Sequence, residues 1–366
     1  MNLKRYLGVF AVLAAMSLIA AACGSDPTPT KVPATPTAMA EAATATPVPD
    51  KPVTLELIDA FPTVLDISRG TAFFIEEVAR LSGGSVTVER VGGPEVTHSL
   101  EQFGPTKDGV FDVLVTVGAY HTDFTKLGLA ENIRANYLRV ADNYGPAVEC
   151  GIYEALQDIY KPLGVHYVGS IVGGWGARLW TVDPIRTLED LKGVHFRAAT
   201  IYQPFLHDYG ATSAPLQFSE IYPALEKGVI QAVYWGGAGA LAGKWNEVVK
   251  YQYPDSLAGG GGLGVIVNQT KWDSMSAAQQ KAVSDAVASS SAYQTNQMNE
   301  VELNEIAGLT AAGIETIEWT DEMAATWSND HYDKIIQDFL IDVDPVLGQP
   351  MADAIRCVNA KVLADR

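Results

Sequence analysis

Basic residues are scarce in this chain, and so are the residue patterns that usually carry catalysis. Its 366 residues hold 25 Lys and Arg against 43 Asp and Glu, a formal charge of -18. Phosphate backbones and anionic lipid surfaces are held by a local excess of Lys and Arg, so nucleic acid is excluded as a partner class and adsorption to anionic membrane is disfavoured. The three cysteines, Cys23, Cys150 and Cys357, make no CxxC and no cluster with histidine, which argues against zinc and dithiol redox chemistry. His98, His121, His166, His195, His207 and His331 form no HExxH and no close pair on a helix face, and GxSxG and SxxK are missing as well. A hydrolase or lyase is left with scattered carboxylates, whose acid/base use needs a geometry that sequence does not display. A literal GxGxxG occurs at 259–264, but its glycines precede a strand instead of opening a helix, so it reads as a flexible return crossing between lobes. No cofactor and no metal is expected from these patterns. No internal repeat appears, and no apolar run beyond the N-terminus is long enough to span a bilayer.

What is present begins with an address. Lys4 and Arg5 precede the apolar run LGVFAVLAAMSLIAAA (7–22), and Cys23 follows three alanines. This resembles a bacterial lipoprotein signal over 1–22, with Cys23 as the lipidated first residue of the mature protein and Ala20 where the usual box prefers Leu. A plain cleaved signal or an uncleaved anchor is the other reading, and each of these places the body outside the cytoplasm. Residues 23–52 are rich in Pro, Thr and Ala and cannot bury enough apolar area to offset chain entropy, so they read as a tether. A flexible chain of roughly 29 residues spans about 30 Å, enough to hold a globular body near a membrane and clear of it. Outside the cytoplasm Cys150 and Cys357 can pair, but spacing alone leaves both a disulfide and two free thiols open.

The body alternates strands with helices, which indicates parallel βαβ units and an α/β fold. VTLELIDA (53–60) is a strand, followed by a helix beginning behind Ser68 and stopped by Gly83 and Gly84. SVTVERV (85–91), the loop GGPEV (92–96), a helix from about residue 99, the strand FDVLVTVGAY (111–120) and a helix over about 146–160 complete one half. GVHYVGSIVGGWGARLWTV (164–182) reads as one or two strands bent at glycines, the crossing into a second half. The segment AGKWNEVVKY (242–251) is read as a helix and LGVIVNQ (263–269) as a strand. A long helix capped at Ser274 or Ser276 runs to Gly313, then IETIEW (314–319) forms a strand and helices over about 321–339 and 349–364 close the chain.

The stretch at 190–237, DLKGVHFRAATIYQPFLHDYGATSAPLQFSEIYPALEKGVIQAVYWGG, concentrates the candidate chemistry. It reads as three strands separated by two helices. In VHFRAA, alternation sends Phe196 to one face and Arg197 to the other, near the strand end. A guanidinium among apolar neighbours needs a partner, and its planar fork matches a carboxylate bidentately. An internal ion pair or a solvated strand end are the structural alternatives. Tyr202, Trp175, Trp180, Tyr234 and Trp235 add aromatic surface near that edge, with core packing as the alternative for each.

LEDLKGVHFRA followed by PLQFSEIYPALEKGVIQAVYWGG closely resembles the signature of solute receptors of tripartite ATP-independent periplasmic (TRAP) transporters, the dicarboxylate and oxo-acid receptor family. SGGSVTVERVGGPEV, FDVLVTVG and NQTKWDSMSAAQQKAV add to the likeness, which covers residues 53–340. The resemblance implies a two-lobe periplasmic binding protein, type II-like, with the ligand cleft between lobes and a long helix spanning them. Lobe I is expected over 53–172 with 265–312 returning, lobe II over 173–264 with 313–340 returning, and a C-terminal helix over 341–366. It implies that Arg197 bonds the ligand carboxylate, with Arg178 at about the place of a second arginine that some members carry. Trp175 is the better pocket candidate from that strand if Arg178 is structural. Trp235 matches the Trp of some oxo-acid receptors, whereas Tyr234 replaces a carboxylate that helps hold sodium or calcium, and Gln231 replaces the usual Asp. With Tyr202, Glu95 and Asn268 as further contacts, the implied ligand is a monocarboxylate with an apolar or aromatic body, or a 2-oxo or 2-hydroxy acid. The implied partners are integral-membrane TRAP permease subunits. A receptor for an ATP-driven importer and a secreted enzyme of organic-acid metabolism are the rival readings.

Overall fold

The computed structural model describes residues 50–132, 144–171 and 175–364. The signal, Cys23 and most of the tether therefore lie outside the described residues, as does the side chain of Trp175. In chain order the strands are β1 (Val53–Asp59), β2 (Val86–Gly92), β3 (Val113–Thr116), β4 (Val165–Ser170), β5 (Trp175–Thr181), β6 (His195–Ala198), β7 (Thr212–Ala214), β8 (Ala232–Gly236), β9 (Tyr251–Gly261), β10 (Gly264–Asn268) and β11 (Glu315–Thr316). They form two sheets, ordered β2-β1-β3-β10-β4 and β11-β9-β5-β8-β6-β7. β1 pairs in parallel with β2 and β3, and β6 with β7 and β8, as the alternation of strands and helices requires, whereas β5 runs antiparallel between β8 and β9. β10 likewise returns antiparallel between β3 and β4 after the chain has built the second sheet.

Seven helices matter for the site: α1 (Arg69–Leu81), α2 (Tyr144–Glu149), α3 (Ile152–Tyr160), α4 (Phe218–Glu226), α5 (Ala277–Ala311), α6 (Asp321–Ile335) and α7 (Pro345–Ala364). α5 has 35 residues and so runs about 52 Å at 1.5 Å per residue. Its start is set by a capping box, in which the hydroxyl of Ser276 accepts from the Gln279 N–H and the Gln279 side chain accepts from the Ser276 N–H. Its first half packs on α1 and β4 of the first sheet. Near its end Glu305 accepts from the N–H groups of Gly239 and Leu241, and the Ile306 carbonyl accepts from Gln252, all in the second half of the fold. One helix thus ties both sheets together.

Local sequence signals fail where a single residue breaks a pattern. The helix expected over 146–160 is two helices, because Gly151 adopts φ 78° between α2 and α3. The strand expected over 111–120 ends at Thr116. Beyond it Gly118 approaches the backbone of Gly128 so closely that a Cβ there would lie 1.8 Å from the Gly128 carbonyl oxygen. AGKWNEVVKY is not a helix: Lys244 takes φ 57°, one 3₁₀ turn follows at Trp245–Glu247, and the chain enters β9. The side chain of Trp245 explains the departure, since it is buried edge-on against Trp180 and Trp235. Gly259–Gly261 are strand, the end of β9, where a flexible crossing was expected. The strand expected over 314–319 shrinks to the two residues of β11.

Cys150 and Cys357 form a disulfide with Cα atoms 5.8 Å apart, joining the turn after α2 to α7. Beside it the Lys361 ammonium pairs with the Glu149 carboxylate at 2.6 Å.

Candidate functional site

A cavity of about 50 Å³ lies between the two sheets. Phe61, Val117, Ala119 and Tyr120 reach it from the chain just beyond β1 and β3, at the carboxyl ends of parallel strands. Ligand crevices of open α/β sheets form at such ends. The second sheet contributes Ala177, Arg197, Trp235, Gly236 and Gly261, with Ala199, Ile201 and Tyr202 following β6.

Arg197 organises this space. It is 2% exposed, on the face of β6 opposite Phe196 and Ala198, which pack into the core of the second sheet. Its Nε donates to the Leu216 carbonyl at 2.9 Å, Nη1 to the Tyr234 carbonyl at 3.2 Å, and Nη2 to the Tyr120 hydroxyl at 3.4 Å. The guanidinium carbon lies 4.2 Å from the Trp235 ring centroid, a cation–π distance. Burial pulls the Arg197 guanidinium below its ordinary pKa, and the Tyr120 hydroxyl opposes that shift. No carboxylate pairs with it among the described residues. A guanidinium carries about five N–H donors, so after three contacts to protein about two remain for a bidentate acceptor.

The other sequence candidates separate clearly. Tyr202 and Trp235 line the cavity, while Tyr234 does not. Its ring is buried against Tyr202 with centroids 4.2 Å apart, and its hydroxyl accepts from Trp327 Nε1 at 3.2 Å. The position serves through its carbonyl, which holds Arg197. Arg178 lies on the same sheet face as Arg197, because β5 and β6 flank β8 with Arg178 opposite Trp235 and Arg197 opposite Val233. It is nevertheless outside the cavity lining: Nη2 donates to the Gly237 carbonyl at 3.5 Å and pairs with Glu305 of α5 at 3.6 Å. Glu95 is exposed and pairs with Arg90 at 3.4 Å. Asn268 caps the next helical turn, accepting from the Lys271 N–H and donating to the Thr106 and Lys107 carbonyls. Gln231 accepts from the His195 N–H and donates to the Gly228 carbonyl, a purely local role.

The structure adds Phe61, Tyr120 and Asn132. A rule that residues just past parallel strands line the crevice points to the first two. Phe61 meets Tyr120 at 5.6 Å and Trp235 edge-on at 6.2 Å, and Ser99 and Gln217 meet at 3.5 Å, so both sheets close around the cavity.

A model of the bacterial extracellular solute-binding proteins, family 7 (DctP), matches residues 67–339. The chain belongs to this family. The recognition drawn from the DLKG and FSEIYPAL segments therefore holds. A curated relative, the monocarboxylate 2-oxoacid-binding periplasmic protein of Nostoc sp. (strain PCC 7120), is 23% identical over 269 residues, covering 72% of this chain and 73% of the relative. The fold matches a TRAP transporter solute-binding protein from Bordetella bronchiseptica RB50, solved with calcium and picolinate, with a TM-score of 0.77 at 18% identity over 86% of this chain and 94% of that one. It also matches a TRAP periplasmic solute-binding protein from Colwellia psychrerythraea with calcium and pyruvate, with a TM-score of 0.75 at 19% identity over 86% and 96% of the two chains. These likenesses establish the two-lobed fold.

Among the described residues, the lining of this cavity offers no carboxylate to a calcium ion such as those two structures hold. Calcium takes about six to eight oxygen ligands, typically with carboxylates among them. The described cavity lining contains none, and Tyr234 turns its side chain into the core. The described lining residues do not fit a ligand-bridging cation.

Asp59, two residues before Phe61, is fully buried at the end of β1. Burial pushes its carboxyl up to about 7 from 3.8, against the Phe61 N–H it accepts at 2.9 Å and the charge of Arg90. The folded-state value is raised, so the folded protein binds this proton more tightly than the unfolded chain. Its contribution to stability is full below about pH 4 and is lost as pH rises toward about 7, on a scale of at most about 4 kcal/mol. Asp59→Asn is expected to raise the unfolding temperature relative to the wild type at pH 8 and to change it little at pH 4. Paired thermal melts at the two pH values check this, and a destabilised variant at pH 8 contradicts it.

Proposed function

We propose that this family 7 protein is the extracytoplasmic receptor of a TRAP-type secondary transporter, capturing a small monocarboxylate and presenting it to integral-membrane permease subunits. The observation that carries the reading is the buried Arg197, fixed by two backbone carbonyls and a tyrosine hydroxyl, with donors left over and no protein carboxylate beside it among the described residues. A desolvated cation without a counter-ion is costly, and a ligand carboxylate supplies the missing charge. The cavity has room for roughly three to five waters, which suits a three- or four-carbon acid better than an aromatic one. Contacts from Tyr120 and Phe61 on one side and Trp235 and Tyr202 on the other exist together only when the lobes are closed. Ligand binding therefore shifts the population toward the closed form, and the permease reads that shape. The receptor performs no chemical step, and the ligand is recovered intact.

Thermal shift against short organic acids tests the reading. At about 100 times Kd a ligand adds about 2.7 kcal/mol, about 4 °C for a body of this size. A panel of two- to five-carbon carboxylates that leaves the melting temperature unmoved contradicts the proposal. Anchoring through a lipid on Cys23 is part of the same reading. Cys23→Ser is expected to move the protein from the membrane fraction to the soluble fraction, and a wild-type protein already wholly soluble after export contradicts it.

A further inference from the structure

Among the described residues lining the cavity, Asn132 carries a buried amide oxygen that the carboxylate anchor does not use. Asn132 lines the cavity at the end of a buried 3₁₀ segment, Lys126–Asn132, and its Oδ1 is buried with no hydrogen-bond partner among the described residues. The segment is firmly held. The carboxylate of its neighbour Glu131 accepts from the Tyr167 hydroxyl at 2.5 Å and from the Ser170 hydroxyl at 3.4 Å, and Gly128 in the same segment lies against the backbone of Gly118. Asn132 therefore follows directly on a segment tied down at Gly128 and Glu131. A buried amide oxygen without a donor is costly, and the natural remedy in a binding site is a ligand O–H or N–H.

The chemical class of that donor follows from the other polar groups. Arg197 takes the carboxylate, and a carboxylate or keto oxygen only accepts, so neither can satisfy Oδ1. An ammonium would bring a second positive charge into a small space already holding the buried guanidinium. A neutral hydroxyl meets Oδ1 without either penalty. The cavity is also too small for the hydroxyl to lie many bonds from the carboxylate.

We propose that Asn132 is a specificity-determining residue, its Oδ1 accepting from the hydroxyl of a 2-hydroxy monocarboxylate and so selecting that class over 2-oxo and unsubstituted acids. This rests on the Arg197 reading and narrows it.

The test is calorimetric titration of the full mature protein with lactate, pyruvate and propionate, three acids of one carbon count that differ only at C2. The wild type is expected to bind lactate about tenfold more tightly than either of the others, the scale of one buried hydrogen bond. Asn132→Ala and Asn132→Leu, the second keeping the volume, are expected to bring lactate to the affinity of propionate while propionate changes less than about threefold. Pyruvate binding the wild type as tightly as lactate overturns the proposal. So does an equal weakening of all three acids in both variants, which marks Asn132 as a packing residue. If Arg197→Ala abolishes binding but the lactate preference survives in both Asn132 variants, the anchor stands and the proposal for Asn132 falls. If none of the three acids binds the wild type, both fall.

Discussion

Arg197→Ala is expected to weaken carboxylate binding by roughly two to three orders of magnitude, about 3 to 4 kcal/mol, the cost of removing one partner from a buried, hydrogen-bonded charge pair. The size follows from the setting of the side chain. It is 2% exposed, lies 4.2 Å from the Trp235 ring, and is positioned by the carbonyls of Leu216 and Tyr234, so no solvent shell replaces it when it is gone. Arg197→Lys does not rescue the site. A lysine presents a compact point charge on a flexible stem and cannot hold two carbonyls, a tyrosine hydroxyl and a bidentate ligand in one plane. Both variants are expected to keep a cooperative unfolding transition, because the cores of the two sheets do not depend on the guanidinium. Titration of each with the best acid of the wild type reads the effect. Unchanged affinity in Arg197→Ala eliminates the anchor.

Breaking the Cys150–Cys357 bridge is expected to have the largest effect on stability. The two cysteines are 207 positions apart, and closing a loop of that length removes enough entropy from the unfolded chain to contribute about 5 kcal/mol. For a body of this size that is a fall of about 8 °C in melting temperature, seen in Cys150→Ser, Cys357→Ser or the reduced wild type. Neither cysteine lines the cavity, so carboxylate affinity is expected to stay within about twofold of the wild type. A reduced protein that melts at the same temperature contradicts the first expectation, and a large loss of affinity contradicts the second.

Much of the architecture was legible in the chain because it depends on local periodicity. The strand and helix alternation and the capped start of α5 are short-range signals. Arg197 stood out for the same reason: a charge on an apolar strand violates the local pattern, and the residues around it resembled a family signature. What the sequence could not convey was distance along a sheet face. Arg178 shares the face of Arg197, yet its partner is Glu305, 127 positions later on another element, and only the fold brings the two together. Tyr234 was read as a side chain near the ligand because it precedes Trp235, but alternation turns it into the core and leaves its carbonyl to hold Arg197. Glu95 and Asn268 satisfy neighbours that sequence spacing does not reveal. Phe61, Tyr120 and Asn132 come from loops and a 3₁₀ segment in which no period marks an inward side chain, and strand ends were the one available guide.

The most direct test of the central claim is a matched pair of calorimetric titrations on the mature wild-type protein, in chelator, with a short 2-substituted acid and its methyl ester. The ester is one methyl group larger and lacks the negative charge that Arg197 is built to take. Measurable binding of the acid, unaffected by chelator, with the ester at least about 100-fold weaker, is the predicted result. Equal binding of acid and ester, or binding of the acid that disappears when divalent cations are removed, would contradict it.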